Sequence, residues 1–204
     1  GWLRPSGGTL LGLMERGDYV ELWNLCYWAL WRVAGFLVIP ALAVLVHPRM
    51  RFKDLGLSFR GMGRHAWIYV VLFVPVLIAV VAVSFTSEFS TYYPFYVNAH
   101  RSVFDFAVWE SFYVAQFFSL ELFFRGFMLQ PLRRTMGSSA IFAMMVPYCM
   151  IHFGKPFVEC FAAIIAGIVL GTLALRTRSI WCGFFIHVSV ALSMDVAAIL
   201  QVHG

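Results

Sequence analysis

The chain has 204 residues, of which 61% are hydrophobic and only 12% charged, with a formal net charge of +5. A soluble domain carries about 25% charged residues, so the composition excludes an ordinary water-soluble fold. It points to an all-α polytopic transmembrane helix bundle forming a single membrane domain over residues 1–204. The positive charge marks loops facing the cytoplasm and calls for no nucleic-acid partner, the lipid bilayer being the partner implied.

Taken in order, residues 1–20 read as a loop with a short interfacial helix. The chain starts at Gly1 without a Met, and an upstream piece is expected to be missing. The first apolar run, Leu22–Val46, is interrupted by Arg32 and Pro40. The Val-rich second run, Ala66–Phe85, reads as a lipid-facing wall. The third, from about Val103 to Leu129, exceeds the roughly 20 residues a bilayer needs. Pro131 and the basic pair Arg133–Arg134 are expected to end it at an interface. Ala140–Phe153 is a short fourth run, Phe157–Leu175 a fifth and Ile180–Leu200 a sixth, which predicts about six membrane-spanning helices. Cys26, Cys149, Cys160 and Cys182 lie in apolar segments and read as small core residues.

Basic residues set the orientation. Arg49, Arg51, Lys53, Arg60 and Arg64 share one loop, Arg133 and Arg134 another, and Arg176 and Arg178 a third. The alternate loops hold Arg101 and Lys155. This alternation puts 47–65, 132–139 and 176–179 in the cytoplasm.

Against this apolar background the ionisable residues stand out, because charges inside a membrane are costly and by default functional. Glu121 and Arg125 lie four residues apart and can pair on one helix face, and Gly126 gives a thin spot for a neighbouring helix. Glu110 lies on the same stripe as Glu121. Tyr148 and His152 share a face at the end of the fourth run. His187 and Asp195 share one on the sixth, with Ala191 between them. At 1.5 Å per residue, Glu121, His152 and His187 fall within about 8 Å of one another in depth. Glu110, Lys155, Glu159 and Asp195 form a second group near the outer side, where Glu110 is expected to sit in a solvated mouth.

A carboxylate and two imidazoles in a sequestered pocket suit hydrolysis, with Glu taking a proton from water and the imidazoles orienting water and stabilising the oxyanion. Zinc ligation by Glu121, His152 and His187 is the rival chemistry, although no HExxH motif is present.

Glu121-x-x-x-Arg125-Gly126 in an FRGF context, then Tyr148-x-x-x-His152, then GxxxGxxxxRTxSIW followed by His187, resemble the CPBP family of intramembrane proteases. That family includes type II CAAX prenyl endopeptidases and bacteriocin-processing and immunity proteins. The resemblance covers about 117–200 as a catalytic core, with 1–116 as N-terminal helices. It implies an intramembrane endopeptidase acting on a membrane-associated protein or peptide without a cofactor or metal. In that reading Glu121 is the base, His152 assists, His187 stabilises the oxyanion and Arg125 orients Glu121. Asp195, Glu159 and Tyr148 are accessory candidates. The first Glu of the family's Glu-Glu-x-x-x-Arg motif falls on Leu120, and the last polar position of its third motif falls on Ala191. The alternative is therefore a catalytically inactive scaffold or immunity protein of the same fold. The expected location is a bacterial inner membrane.

Overall fold

The computed structural model describes residues 19–48, 50–59, 63 and 66–203. The expectation for residues 1–18 lies outside them. Among the described residues eight α-helices follow one another: α1 (Val20–Val46), α2 (Ala66–Ser84), α3 (Ser87–Tyr92), α4 (Val103–Glu121), α5 (Leu129–Met136), α6 (Ala140–Met150), α7 (Phe157–Thr177) and α8 (Trp181–His203). Between α4 and α5, Leu122–Met128 winds as π-helix, so α4, the π stretch and α5 form one continuous rod. No strand occurs among the described residues.

Among the described residues five stretches are long and apolar enough to cross a membrane: Val20–Val46, Trp67–Ser84, Val103–Met150, Phe157–Thr177 and Trp181–Gln201. The all-α polytopic bundle expected from composition is what the chain forms. The third stretch turns back on itself at Gly137, whose φ of 59° suits a residue without Cβ. Its two arms are tied by Phe124 against Tyr148, ring to ring at 5.5 Å. The fourth apolar run of the sequence is therefore a return arm. Helix α6 has 11 residues, about 16 Å, against a hydrocarbon core of about 30 Å.

Pro131 does not end its segment, because α5 continues to Met136. The wider π turns ahead of Pro131 move the preceding carbonyls out of its ring's way. Gly126 does give a thin spot, but to a loop rather than a helix. A Cβ there would lie 2.5 Å from the carbonyl oxygen of Leu55, in the 3-10 turn Phe52–Leu55.

The helices pair α1 with α4, α2 with α8, and α6 with α7. Small residues bring α6 and α7 together: a Cβ on Gly167 would meet Met145 at 2.8 Å, and one on Gly171 would meet Met144 at 3.1 Å. Trp67, Val70, Val71, Val74, Ile78 and Val81 of α2 face outward, the apolar wall anticipated from the sequence. The segment 93–101 folds inward over α1 and α4 and buries Tyr93, Phe95, Tyr96 and Ala99. Phe95 stacks on Trp109 at 5.4 Å.

Candidate active site

Helix α4 delivers Glu121 at its last turn, and the π stretch delivers Arg125, both with no exposed surface. Arg125 Nη1 lies 3.1 Å from Glu121 Oε1. The guanidinium sits 4.0 Å over the ring of Tyr148, and its nitrogens have no hydrogen-bond acceptor among the described residues. Charge attraction and the aromatic face therefore hold it, rather than directed hydrogen bonds. Across the bundle, His187 on α8 donates from Nδ1 to Glu121 Oε1 at 2.6 Å. The other imidazole nitrogen, Nε2, meets the Tyr148 hydroxyl at 2.8 Å. Because the carboxylate takes the Nδ1 proton, a neutral His187 accepts from Tyr148 at Nε2. One chain of contacts thus runs from Arg125 through Glu121 and His187 to Tyr148.

Gly183 makes this close approach possible. A Cβ there would stand 2.5 Å from Glu121 Oε2. The WCGFF sequence gave no sign of this beyond a glycine inside an apolar helix.

His152 lies in the turn between α6 and α7, with its ring 4.9 Å from that of Tyr148. Its Nδ1 is 2.9 Å from the Tyr148 carbonyl, which can only accept, so Nδ1 carries the proton and Nε2 keeps a lone pair. Burial, reinforced by the positive charge of Lys155, pushes the imidazolium down from its ordinary 6.5 to about 3. His152 is therefore neutral at physiological pH.

Tyr148, His152 and His187 line a cavity of about 320 Å³ between α2, α7 and α8. Its walls are mostly apolar, including Leu72, Val76 and Val190, and Lys155 and Glu159 sit at the polar end. These two form an ion pair, and Tyr93 donates to Glu159 Oε2 at 2.8 Å. The three residues expected at one depth, Glu121, His152 and His187, are brought together around Tyr148.

The outer acidic group behaves differently. Asp195 is fully buried away from His187. Its Oδ1 accepts from the Phe95 backbone N–H at 3.1 Å, and its Oδ2 from Trp109 Nε1 at 3.3 Å. It is an anchor for the infolded 93–101 segment. Glu110 does not occupy a solvated mouth: it is 6% exposed and its carboxyl lies against that of Asp195. The sequence reading failed at Glu110 because that segment covers the outer end of α4, which helical spacing alone does not reveal. Ala191 is buried in the core shared by α1 and α4, and Leu120 lines a small pocket beside His152.

An apolar bundle that buries a carboxylate–imidazole pair beside a cavity within membrane-spanning helices has the build of a functional site. Residues 102–193 match the family described as type II CAAX prenyl endopeptidase Rce1-like. The match agrees with the family resemblance noted in the sequence and covers under half of the chain. No curated protein and no solved structure matches the chain.

Proposed function

We propose that the chain is an intramembrane endopeptidase that hydrolyses a peptide bond of a membrane-associated protein or peptide by glutamate-driven activation of water. The observation carrying this reading is the Arg125–Glu121–His187–Tyr148 chain at the wall of an apolar cavity. Glu121 Oε1 is engaged by Arg125 and His187, and Oε2 is packed against Gly183. His187 then acts as the base that Glu121 supports: water gives its proton to His187 Nε2, the carboxylate stabilises the imidazolium that forms, and the imidazolium returns that proton to the leaving amine nitrogen. The Tyr148 hydroxyl, released from Nε2, donates to the developing oxyanion in place of the polar group absent at Ala191. His152 offers its Nε2 lone pair to orient the attacking water, and Arg125 fixes Glu121. This reading draws on no metal or cofactor. The outer residues Asp195 and Glu159 shape the cavity's polar end. The proposed location is a bacterial inner membrane.

The test is reconstitution of the chain in liposomes with a library of membrane-inserted peptides in ¹⁸O-labelled water. Mass spectrometry should find cleaved peptides with ¹⁸O at the new carboxylate. Intact peptides throughout would overturn the reading. That outcome would favour an inactive scaffold or immunity protein of the same fold, which Leu120 and Ala191 support by replacing two polar groups of the family pattern.

A further inference from the structure

Arg32 lies in the middle of α1, about 18 Å along the helix from Val20 and about 21 Å from Val46. Its guanidinium lies 4.9 Å over the Trp28 ring. Arg32 has no hydrogen bond or ion pair among the described residues. The other cations at membrane depth are compensated, Arg125 by Glu121 and Lys155 by Glu159. A charge at this depth is normally paired or faces a ligand path.

Two cavities meet at Arg32. One, of about 660 Å³, is an apolar cleft between α1 and the turn after α6, lined by Trp31, Phe36, Ile39 and Phe153. The other, of about 50 Å³, is bounded by Gln116, Leu120, His152 and Lys155. Tyr113, Phe117, His152 and Lys155 also line the active-site cavity, so the pocket at Arg32 and the cavity at the reacting groups share these four walls. The residue facing Arg32 at the position of the family's first Glu is Leu120, which leaves the guanidinium without an internal counter-charge.

We infer that Arg32 binds a carboxylate of the peptide substrate and so fixes how far from that carboxylate the chain is cut. This rests on the hydrolase reading above. A planar guanidinium binds a carboxylate through two parallel hydrogen bonds, and the smaller pocket has room for a group of that size. A phospholipid phosphate in an undeformed leaflet stays near the interface, about 15 Å from the bilayer midplane, and a phosphate probe tests whether one reaches Arg32 through the cleft. The carboxylate is either the free end of the peptide or an acidic side chain close to the cut.

The test is binding of four probes to the purified chain in nanodiscs by titration calorimetry. The probes are N-dodecanoyl-Ala-Ala-Ala as the free acid, the same peptide as its amide, the amide of N-dodecanoyl-Ala-Ala-Asp, and dodecyl phosphate. The free acid or the Asp amide should bind roughly 10- to 100-fold more tightly than the Ala amide, and which of them does so identifies the source. Arg32→Gln should abolish the preference. Arg32→Lys, which keeps the charge without the fork, should retain part of it. The inference is overturned if all three peptides bind equally, if Arg32→Gln keeps the preference, or if dodecyl phosphate binds as tightly as the acids. The comparison on the unaltered chain decides even if Arg32→Gln does not fold. A carboxylate preference in a chain that cleaves no peptide would overturn the hydrolase reading alone. Cleavage with no preference would overturn the Arg32 inference alone.

Discussion

Glu121 and Arg125 are opposite charges with no exposed surface, so removing one leaves the other buried and unpaired, a change costing about 3–5 kcal/mol. Glu121→Gln alone therefore confounds chemistry with folding. Adding Arg125→Gln restores a neutral pair. The double variant is expected to insert and fold while cleavage in the liposome assay falls roughly 10²–10⁴-fold. Recovery of cleavage would make the pair a helix clamp and remove Glu121 from the mechanism. His152 gives a second prediction. Its folded-state value lies below its ordinary 6.5, so at lower pH the unfolded chain binds the extra proton and the folded one does not. Stability is full above about pH 6.5 and is lost as the pH falls from there toward 3. Melting temperature should drop over that window, and His152→Phe should flatten the drop; an equally steep profile in the variant would contradict it. At this scale the sequence made Glu121, Arg125, His152 and His187 legible, because charges and imidazoles are conspicuous among apolar neighbours. It did not show that the Tyr148 hydroxyl joins His187, or that Gly183 admits the carboxylate. Those contacts depend on how α6 and α8 are rotated, and no residue pattern reports that rotation.

The elements were readable wherever apolar length decides them. All six apolar runs are helical, and their ends lie within a few residues of the expected ones except beyond Leu129. The π stretch Leu122–Met128 was not legible, since no sequence period marks one widened turn. It is the segment in which Arg125 and Gly126 sit, and π turns recur at functional sites. Gly126 fastens this stretch to the loop after α1. A Cβ would meet the Leu55 carbonyl at 2.5 Å, and backbone cannot yield as a flexible side chain does. Gly126→Ala should cost about 1–3 kcal/mol, read as a lowered melting temperature in detergent. An unchanged temperature would mean that this contact is not tight.

For the molecule as a whole, orientation follows from the basic loops rather than from the helices. Nine of the fifteen Lys and Arg residues fall in 47–65, 132–139 and 176–179, which argues that these face the cytoplasm. In a cysteine-free background, single cysteines at Lys53 and Val97, both exposed, should react with impermeant reagent from opposite sides. Labelling from the same side would refute the arrangement. The fold class needed only composition. The infolding of 93–101, which turns Glu110 from an expected mouth residue into a buried one, needed the tertiary structure, because aromatic stacking of Phe95 on Trp109 draws the loop inward.

Helix α6 stops after 11 residues, and the turn that follows holds His152. Acyl chains beside a wall of about half height must shorten or tilt to cover it, so the surrounding leaflet is dimpled there. A dimple shortens the distance that water travels to His152 and His187, and makes the lipid itself a determinant of the rate. Cleavage should be fastest in nanodiscs of short-chain lipids and slow progressively as the acyl chains lengthen. A rate indifferent to chain length would mean that water reaches the cavity by a path the bilayer does not control.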